Sequence, residues 1–276
     1  MERIYPVFLN RLLRPIGTAL AAFLAEPRPE LVTGVCTPVD RLRASLEPGD
    51  VLLVEGTSRV STAIKYLTQS SWSHAALYVG GLGAGGLSEP DHRLVEVDLV
   101  DGVRSLPLEE YATLPTRICR PVGLSDADRS ALVDYAVNRL GNGYDLKNLL
   151  DLARFLFPTP PIPSRFRRRL LAFGSGDPTK AICSTMIAQA FESIRYPILP
   201  TIEYRDDAGP SAMSRRREIL HIRHHSLFTP RDFDVSPYFR IVKPTVEGQF
   251  NYRRLNWADE DLPRPAPPSE ELRRRA

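Results

Sequence analysis

Two stretches of the sequence decide its fold: WSHAALYVG (residues 72–80) and AICSTMIAQAFESI (residues 181–194). The first has the pattern of a β-strand and carries His74, and the second has the periodicity of a helix that begins beside Cys183. A thiol is a nucleophile only as its thiolate. A helix N-terminus and a nearby imidazole can lower the pKa of a cysteine from about 8.5 to roughly 3.5–7.5. The sequence therefore contains both features that lower the pKa of a cysteine: a helix that begins beside Cys183 and a histidine at position 74.

The composition is that of a globular protein, with 276 residues of which 43% are hydrophobic. One domain of about 200 residues with extensions is the simplest division. The net charge of +3, without a zinc-finger or RNA-binding signature, predicts no nucleic-acid partner. Cys36, Cys119 and Cys183 are far apart and odd in number, which predicts no disulfide framework and favours a reducing compartment such as the cytoplasm.

The chain divides into three parts on these patterns. Residues 1–45 are expected to form an N-terminal helical extension. Their apolar run is too short for a membrane span and lacks the cleavage signal of a signal peptide. Residues 46–247 form the predicted catalytic domain, interrupted by a Pro/Arg-rich insertion at about 158–180. Residues 248–276 lose periodicity and are predicted to be disordered.

The predicted elements of the central part alternate between strands and helices. Strands are expected at 51–54, 72–80, 93–99, 102–107 and 116–121, helices at 60–67, 125–141 and 145–157, and a last strand at the end of the segment 229–244. Asp101 and Gly102 form the turn signal of a hairpin. We therefore expect an α+β fold in which an antiparallel sheet packs against helices.

The strand alternation brings a carboxylate toward the histidine. His74 and Glu96 each point to one face of their strands, and pairing of these strands allows Glu96 to hydrogen-bond the imidazole. Such a carboxylate fixes the imidazole tautomer and favours its charged form, which stabilises a thiolate. The predicted roles are nucleophile for Cys183, base for His74 and orienting residue for Glu96.

A purely structural interpretation fits the same residues. Cys183 falls on the apolar stripe of its helix, and a free cysteine is commonly a small core residue. A lone histidine in an apolar strand is also commonly a core residue. The histidines of HIRHH (221–225) lack a partner cysteine, a matching glutamate or a metalloprotease motif, so we expect no metal site.

Five segments, taken in their order along the chain, resemble the circularly permuted papain-like amidases of the NlpC superfamily, the YiiX-like group. They are EPGDVLLVEG (47–56), SHAALYVG (73–80), LVEVDLVDGVR (94–104), LGNGYDL (140–146) and ICSTMIAQAF (182–191). In that family the histidine lies on an early strand and the nucleophilic cysteine opens a late helix. His74 and Cys183 follow this order.

The resemblance implies a permuted papain-like fold and a cysteine hydrolase that needs no cofactor. The expected substrate is peptide-like, with a peptide, isopeptide or cell-wall-type amide cleaved through a thioester. Cys183, His74 and Glu96 match the catalytic positions, and Tyr144 matches a position near the cleft. Tyr144 is predicted either to donate to an oxyanion or substrate carbonyl, or only to anchor a helix start. Many relatives carry Tyr-Cys-Ser-Glu where this chain has Ile182 to Thr185, which leaves substrate detail open.

Two other functions remain open. The scaffold also resembles the lecithin:retinol acyltransferase group, which acts on acylated substrates. The apolar and arginine residues between 155 and 171 suit a membrane-facing lid, so peripheral membrane contact through the Arg-rich insertion is one prediction. The alternative is an inert binding or scaffold protein, which predicts a buried, unreactive Cys183.

Overall fold

The computed structural model of the chain describes residues 26, 35–83, 91–98, 101–142, 182–206, 216–221, 223–247 and 251. Four sequence predictions lie outside these residues: Tyr144, the helix at 145–157, the insertion at 158–180 and most of both terminal segments. The division of the chain at residues 46 and 248 therefore stays a prediction.

The described part of the chain contains the central strands and helices that the sequence predicts, together with further elements that it does not. The strands are β1 Val51–Val54, β2 His74–Tyr78, β3 Leu94–Asp98, β4 Gly102–Leu106, β5 Thr116–Pro121, β6 Thr201–Asp206, β7 Arg216–His221 and β8 Phe239–Val242. The helices are α1 Val39–Ser45, α2 Arg59–Thr68, α3 Asp126–Val137, α4 Ile182–Ser193, α5 Pro230–Val235 and α6 Pro244–Glu247. Short 3₁₀ helices lie at Gly80–Gly83, Leu108–Tyr111 and His225–Leu227.

The main sheet has the strand order β4-β3-β2-β1-β5-β8, and every neighbouring pair is antiparallel. Strand β1 lies inside this order, where Val51 pairs with Leu77 of β2 and with Cys119 of β5. All four residues of β1 are buried, as its unbroken apolar run requires of a strand covered on both faces. The predicted α+β class and antiparallel sheet are confirmed.

Two apolar cores cover the two faces of this sheet. Val51 and Leu53 belong to the core beneath α3 and α4, whereas Leu52 and Val54 belong to the core that includes Leu42 of α1. Alternate residues of one strand therefore stabilise opposite layers. Helix α4 packs against α3, β2, β3 and the 3₁₀ helix His225–Leu227, which brings its first turn to the edge of β2.

The turn and cap signals of the sequence act as predicted. Gly102 has a φ of +73°, which its lack of a side chain permits at the hairpin between β3 and β4. Ser125 caps α3 by accepting a hydrogen bond from the Asp128 backbone N–H at 3.1 Å. Gly141, with a φ of +80°, follows the end of this helix.

The hairpin of β6 and β7 was not predicted. Thr201, Ile202 and Glu203 are all exposed, so residues from both sides of the strand lie at the surface at these positions. The stretch after β2 was predicted as a loop, but its first residues, Gly80–Gly83, form a 3₁₀ helix. Among the described residues, no helix is long and apolar enough to cross a membrane.

Candidate active site

The predicted hydrogen bond between His74 and Glu96 is present. His74 is the first residue of β2, and its Nε2 atom lies 2.7 Å from Oε2 of Glu96 on β3. Tyr78 pairs with Leu94 and Leu77 with Val95, so in this register Glu96 lies diagonally across from His74. Long side chains reach each other across such a diagonal.

Glu96 is a buried carboxylate surrounded by donors. Its side chain is 2% exposed. Oε1 accepts a hydrogen bond from Arg104 Nε at 3.0 Å and lies 2.9 Å from Arg104 Nη2 in an ion pair. Oε2 accepts from the Tyr111 hydroxyl in addition to the His74 ring. A buried charge is tolerated only with such partners, and here both oxygens have them.

The His74 and Glu96 side chains hold each other in their charged forms. Burial raises the pKa of Glu96, but the His74 charge, hydrogen bonds from His74 and Tyr111, and the Arg104 charge together lower it to about 2. Burial lowers the pKa of His74, but the Glu96 carboxylate and the neighbouring Cys183 side chain raise it well above its ordinary value. The arrangement therefore favours an imidazolium beside a carboxylate.

Cys183 lies in the first turn of α4 and lines the same cleft as His74 and Glu96. Its side chain is close enough to the His74 ring to contribute to the raised pKa of that imidazole. The Sγ atom also lies 4.0 Å from the carbonyl oxygen of Ser73, the residue before His74. The next residue, Ser184, is fully buried and donates from Oγ to the Phe228 carbonyl at 2.7 Å, which fixes the start of the helix.

A cleft of about 260 Å³ brings these side chains together. Its catalytic end is formed by Cys183, His74, Glu96, Tyr111 and Arg104. The remaining described lining is Val54, Gly56, Thr57, Ser58, Val60, Ser61, Ile64, Ser73, Val97, Asp98 and Leu114. One wall is thus rich in hydroxyl groups and the rest is largely apolar, which suits a substrate with both amide and aliphatic parts.

A second polar cluster supports the strand that carries His74. The indole N–H of Trp72 donates to Asp234 Oδ2 at 3.0 Å, and Arg117 Nη1 lies 2.7 Å from Asp234 Oδ1. The Arg117 guanidinium lies over the Trp72 ring, 4.9 Å from its centroid. Because Trp72 is two residues before His74, this cluster connects α5 and β5 to the segment just before β2.

Within HIRHH, His221 and His225 bind different carboxylates. His221, on β7, lies 2.9 Å from Glu203 of β6, and His225 lies 3.1 Å from Glu192 of α4. The rings of His224 and His225 stack with centroids 4.0 Å apart. In the part of the chain that the structure describes, no group of three or more histidine, cysteine, aspartate or glutamate residues is arranged to hold a metal ion.

Sequence reasoning missed Arg104 and Tyr111. The signal for Arg104 was available, because a hairpin turning at Asp101 and Gly102 places residue 104 directly opposite Glu96. Tyr111 carried no such signal. It ends a 3₁₀ helix after β4, and its approach to Glu96 depends on how that helix packs against α1.

A histidine on an early strand and a cysteine opening a late helix, meeting at one cleft, define a papain-like hydrolase whose chain is circularly permuted. Residues 45–154 match the family described as permuted papain-like amidase enzyme, YaeF/YiiX, C92 family. The match covers less than half of the chain, and over that part it supports the family resemblance and the permuted papain-like fold that the sequence predicted. It is consistent with a cysteine-dependent hydrolase of the amidase and peptidase type. The matched segment contains His74 and Glu96 and ends before Cys183.

One solved structure that matches the chain is that of the metalloprotein YiiX from Escherichia coli O157:H7. It is 15% identical in sequence with a TM-score of 0.41, and the alignment covers 72% of this chain and 97% of that one. No curated protein matches the sequence.

Proposed function

We propose that the protein hydrolyses an amide bond of a peptide-like substrate through a thioester on Cys183, with His74 as acid and base and Glu96 as the group that orients it. The observation that supports this most strongly is the position of His74. One side of its ring is hydrogen-bonded to a buried carboxylate, and the ring also interacts with a cysteine in the first turn of a helix.

The first half of the reaction forms the thioester. Because Nε2 of His74 is bonded to Glu96, Nδ1 is the ring atom left for the thiol and the substrate. Nδ1 takes the thiol proton, and the Cys183 sulfur attacks the carbonyl carbon of the amide to give a tetrahedral oxyanion. The oxyanion collapses, the C–N bond breaks, and the leaving nitrogen takes the proton from Nδ1. An amine departs and the acyl group remains on sulfur.

The second half consumes one water molecule. Neutral His74 removes a proton from the water as its oxygen attacks the thioester carbon. Collapse of this second tetrahedral intermediate breaks the C–S bond and releases the carboxylic acid. The proton on His74 is then shared again with the Cys183 thiolate, which restores the starting pair.

Glu96 contributes to both halves by keeping Nε2 protonated. The carboxylate accepts this proton's hydrogen bond at 2.7 Å and stabilises the imidazolium each time it forms. Because the pKa of Glu96 is lowered to about 2, it remains an anion over the range in which cysteine hydrolases work. It does not need to take the proton itself.

One observation favours the non-catalytic alternative. Cys183 is only 4% exposed, as an inert structural cysteine would be. It nevertheless lines the cleft that His74 and Glu96 line. The lid expected for a lipid acyltransferase falls within residues 155–171, outside the described part of the chain, so peripheral membrane contact stays a separate proposal testable with anionic liposomes.

The test is capture of the acyl-enzyme. The protein is mixed with anilides and isopeptide amides of N-acylated amino acids, and with an acyl ester presented in lipid vesicles, and the reaction is quenched in acid for intact-mass analysis. We expect a mass increase equal to the acyl group on Cys183 with an amide substrate, and none in Cys183→Ala. Acylation from the vesicle ester alone would favour the lipid function, and no acylation from any of them would favour the scaffold.

A further inference from the structure

We propose that Tyr111 and Arg104 are positioning residues of this site, which together hold the Glu96 carboxylate ionised and aimed at the His74 ring. This inference deepens the proposed function and rests on it. Neither residue contacts the sulfur or the expected scissile bond, so each acts through Glu96.

Arg104 and Tyr111 bind different oxygens of the Glu96 carboxylate. Arg104 binds Oε1 through Nε at 3.0 Å and Nη2 at 2.9 Å, and Tyr111 donates its hydroxyl hydrogen to Oε2, the oxygen that also faces His74. A carboxylate bound at both oxygens from different directions cannot rotate about its last side-chain bond without losing a donor. The oxygen that faces the imidazole is therefore fixed in direction.

Arg104 is held in place by its own partners. It lies directly opposite Glu96 in the β3–β4 register, and its guanidinium also pairs with Asp98 at 3.5 Å and Asp101 at 3.1 Å. These contacts fix the guanidinium at the edge of the hairpin, where its side chain is 37% exposed. A pre-oriented arginine loses less conformational entropy when it binds a carboxylate in two places.

Tyr111 reaches Glu96 from the opposite core. It ends the 3₁₀ helix Leu108–Tyr111, is 7% exposed, and its ring centroid lies 6.1 Å from that of His74. Burial and the Glu96 charge raise the pKa of Tyr111 well above its ordinary value, so its hydroxyl remains a donor at all working pH values. The Tyr111 hydroxyl and His74 Nε2 both bond to Oε2 of Glu96. The hydrogen bond from Tyr111 makes this oxygen less basic, which opposes transfer of the Nε2 proton to Glu96.

Both contacts are needed because Glu96 is buried. A buried carboxylate with too few donors becomes neutral by binding a proton, and a neutral Glu96 no longer stabilises the imidazolium. Within the described part of the chain, the titratable and charged groups that line the cleft beside the His74–Glu96 pair are Cys183 from α4, Asp98 from β3, Arg104 from β4 and Tyr111 from the 3₁₀ helix. Of these, Arg104 and Tyr111 are the ones that donate to Glu96.

The test follows the ionisation of Glu96 directly. Protein labelled with ¹³C at the glutamate carboxyl carbons is titrated by NMR in a Cys183→Ser background, and the Glu96 signal is assigned from its loss in Glu96→Gln. We expect Glu96 to stay ionised throughout the folded pH range in the parent. In Tyr111→Phe and in Arg104→Gln its midpoint should rise by roughly one pH unit or more.

Matched variants separate this effect from packing. Tyr78→Phe removes a hydroxyl from another buried tyrosine of the same core, and Arg43→Gln removes an arginine that pairs with Asp40 and Glu109 instead. Both should leave the Glu96 midpoint unchanged. Arg104→Lys keeps the charge and should shift the midpoint less than Arg104→Gln, which also serves if the glutamine variant folds poorly.

The outcome is independent of catalysis, because the titration uses a protein without the thiol. An unchanged Glu96 midpoint in both Tyr111→Phe and Arg104→Gln would overturn the positioning role, even in a protein whose Cys183 is readily acylated. A raised midpoint supports it. If the midpoint rises but wild-type Cys183 accepts no acyl group, the proposed function fails while the positioning of Glu96 stands.

Discussion

His74 Nε2 lies 2.7 Å from Glu96 Oε2, although the two residues come from different strands and are not direct partners in the sheet. The direct partner of Glu96 is Arg104 on the far side. Glu96 therefore connects a cation on β4 to the imidazole on β2. This linkage makes the stability of the fold and the reactivity of Cys183 depend on the same carboxylate.

The first prediction concerns stability against pH in Glu96→Gln. The lowered pKa of Glu96 gives stability that is present above its ordinary value of 4.5 and lost as pH falls toward about 2. The raised pKa of His74 gives stability that is present below 6.5 and lost as pH rises through the folded-state value. Thermal unfolding should therefore show the largest loss, roughly 3 kcal/mol, between these two ordinary values.

Glu109→Gln is the matched control for this measurement, because Glu109 forms an exposed pair with Arg43. It should change stability by less than about 1 kcal/mol at any pH. A deficit in Glu96→Gln that is the same at pH 3, 5 and 9 would contradict the charged pair.

The second prediction concerns Gly56, at the hydroxyl-rich wall of the cleft. A Cβ atom there would lie 2.4 Å from Ser61 Oγ and 3.0 Å from Ser73 Oγ. Gly56→Ala should therefore cost about 1–3 kcal/mol in urea unfolding and slow the labelling of Cys183, since Ser73 precedes His74. Adding Ser61→Ala should restore part of the loss.

Gly81→Ala provides the control, because a Cβ atom at Gly81 would meet nothing within 4 Å. It should leave both measurements close to wild type. Equal effects of the Gly56 and Gly81 substitutions would show that the contact with Ser61 is unimportant.

The third prediction concerns the cluster before β2. Asp234 accepts from both Trp72 and Arg117, so Asp234→Ala leaves the Trp72 indole N–H without its carboxylate and should cost about 1–3 kcal/mol. A double-mutant cycle with Trp72→Phe, measured by urea unfolding, should give a coupling energy of at least about 0.5 kcal/mol. Strictly additive losses would mean that the hydrogen bond does not stabilise this strand.

Much of the fold could be predicted because its central strands are apolar and its turns have strong signals. The run Val51–Val54, the turn at Gly102 and the Ser125 cap each require one local structure. The β6–β7 hairpin could not be predicted, since exposed residues such as Ile202 give no buried face to recognise.

The candidate site divides in the same way. Strand alternation allowed a contact between His74 and Glu96 if their strands pair, and the family resemblance added Cys183 to them. The contact between Tyr111 and Glu96 could not be predicted, because it depends on the packing of a short 3₁₀ helix that has no periodic sequence pattern. Tyr144 was inferred only from family resemblance, and its role stays a prediction.

The most direct test of the central claim is the rate of Cys183 alkylation by iodoacetamide against pH, in wild type and in His74→Ala. Cys183→Ser gives the background from Cys36 and Cys119. An imidazolium beside the sulfur predicts fast labelling that persists below pH 7 and falls at least tenfold there in His74→Ala. Slow labelling with the same pH profile in both proteins would contradict an activated cysteine and favour the scaffold.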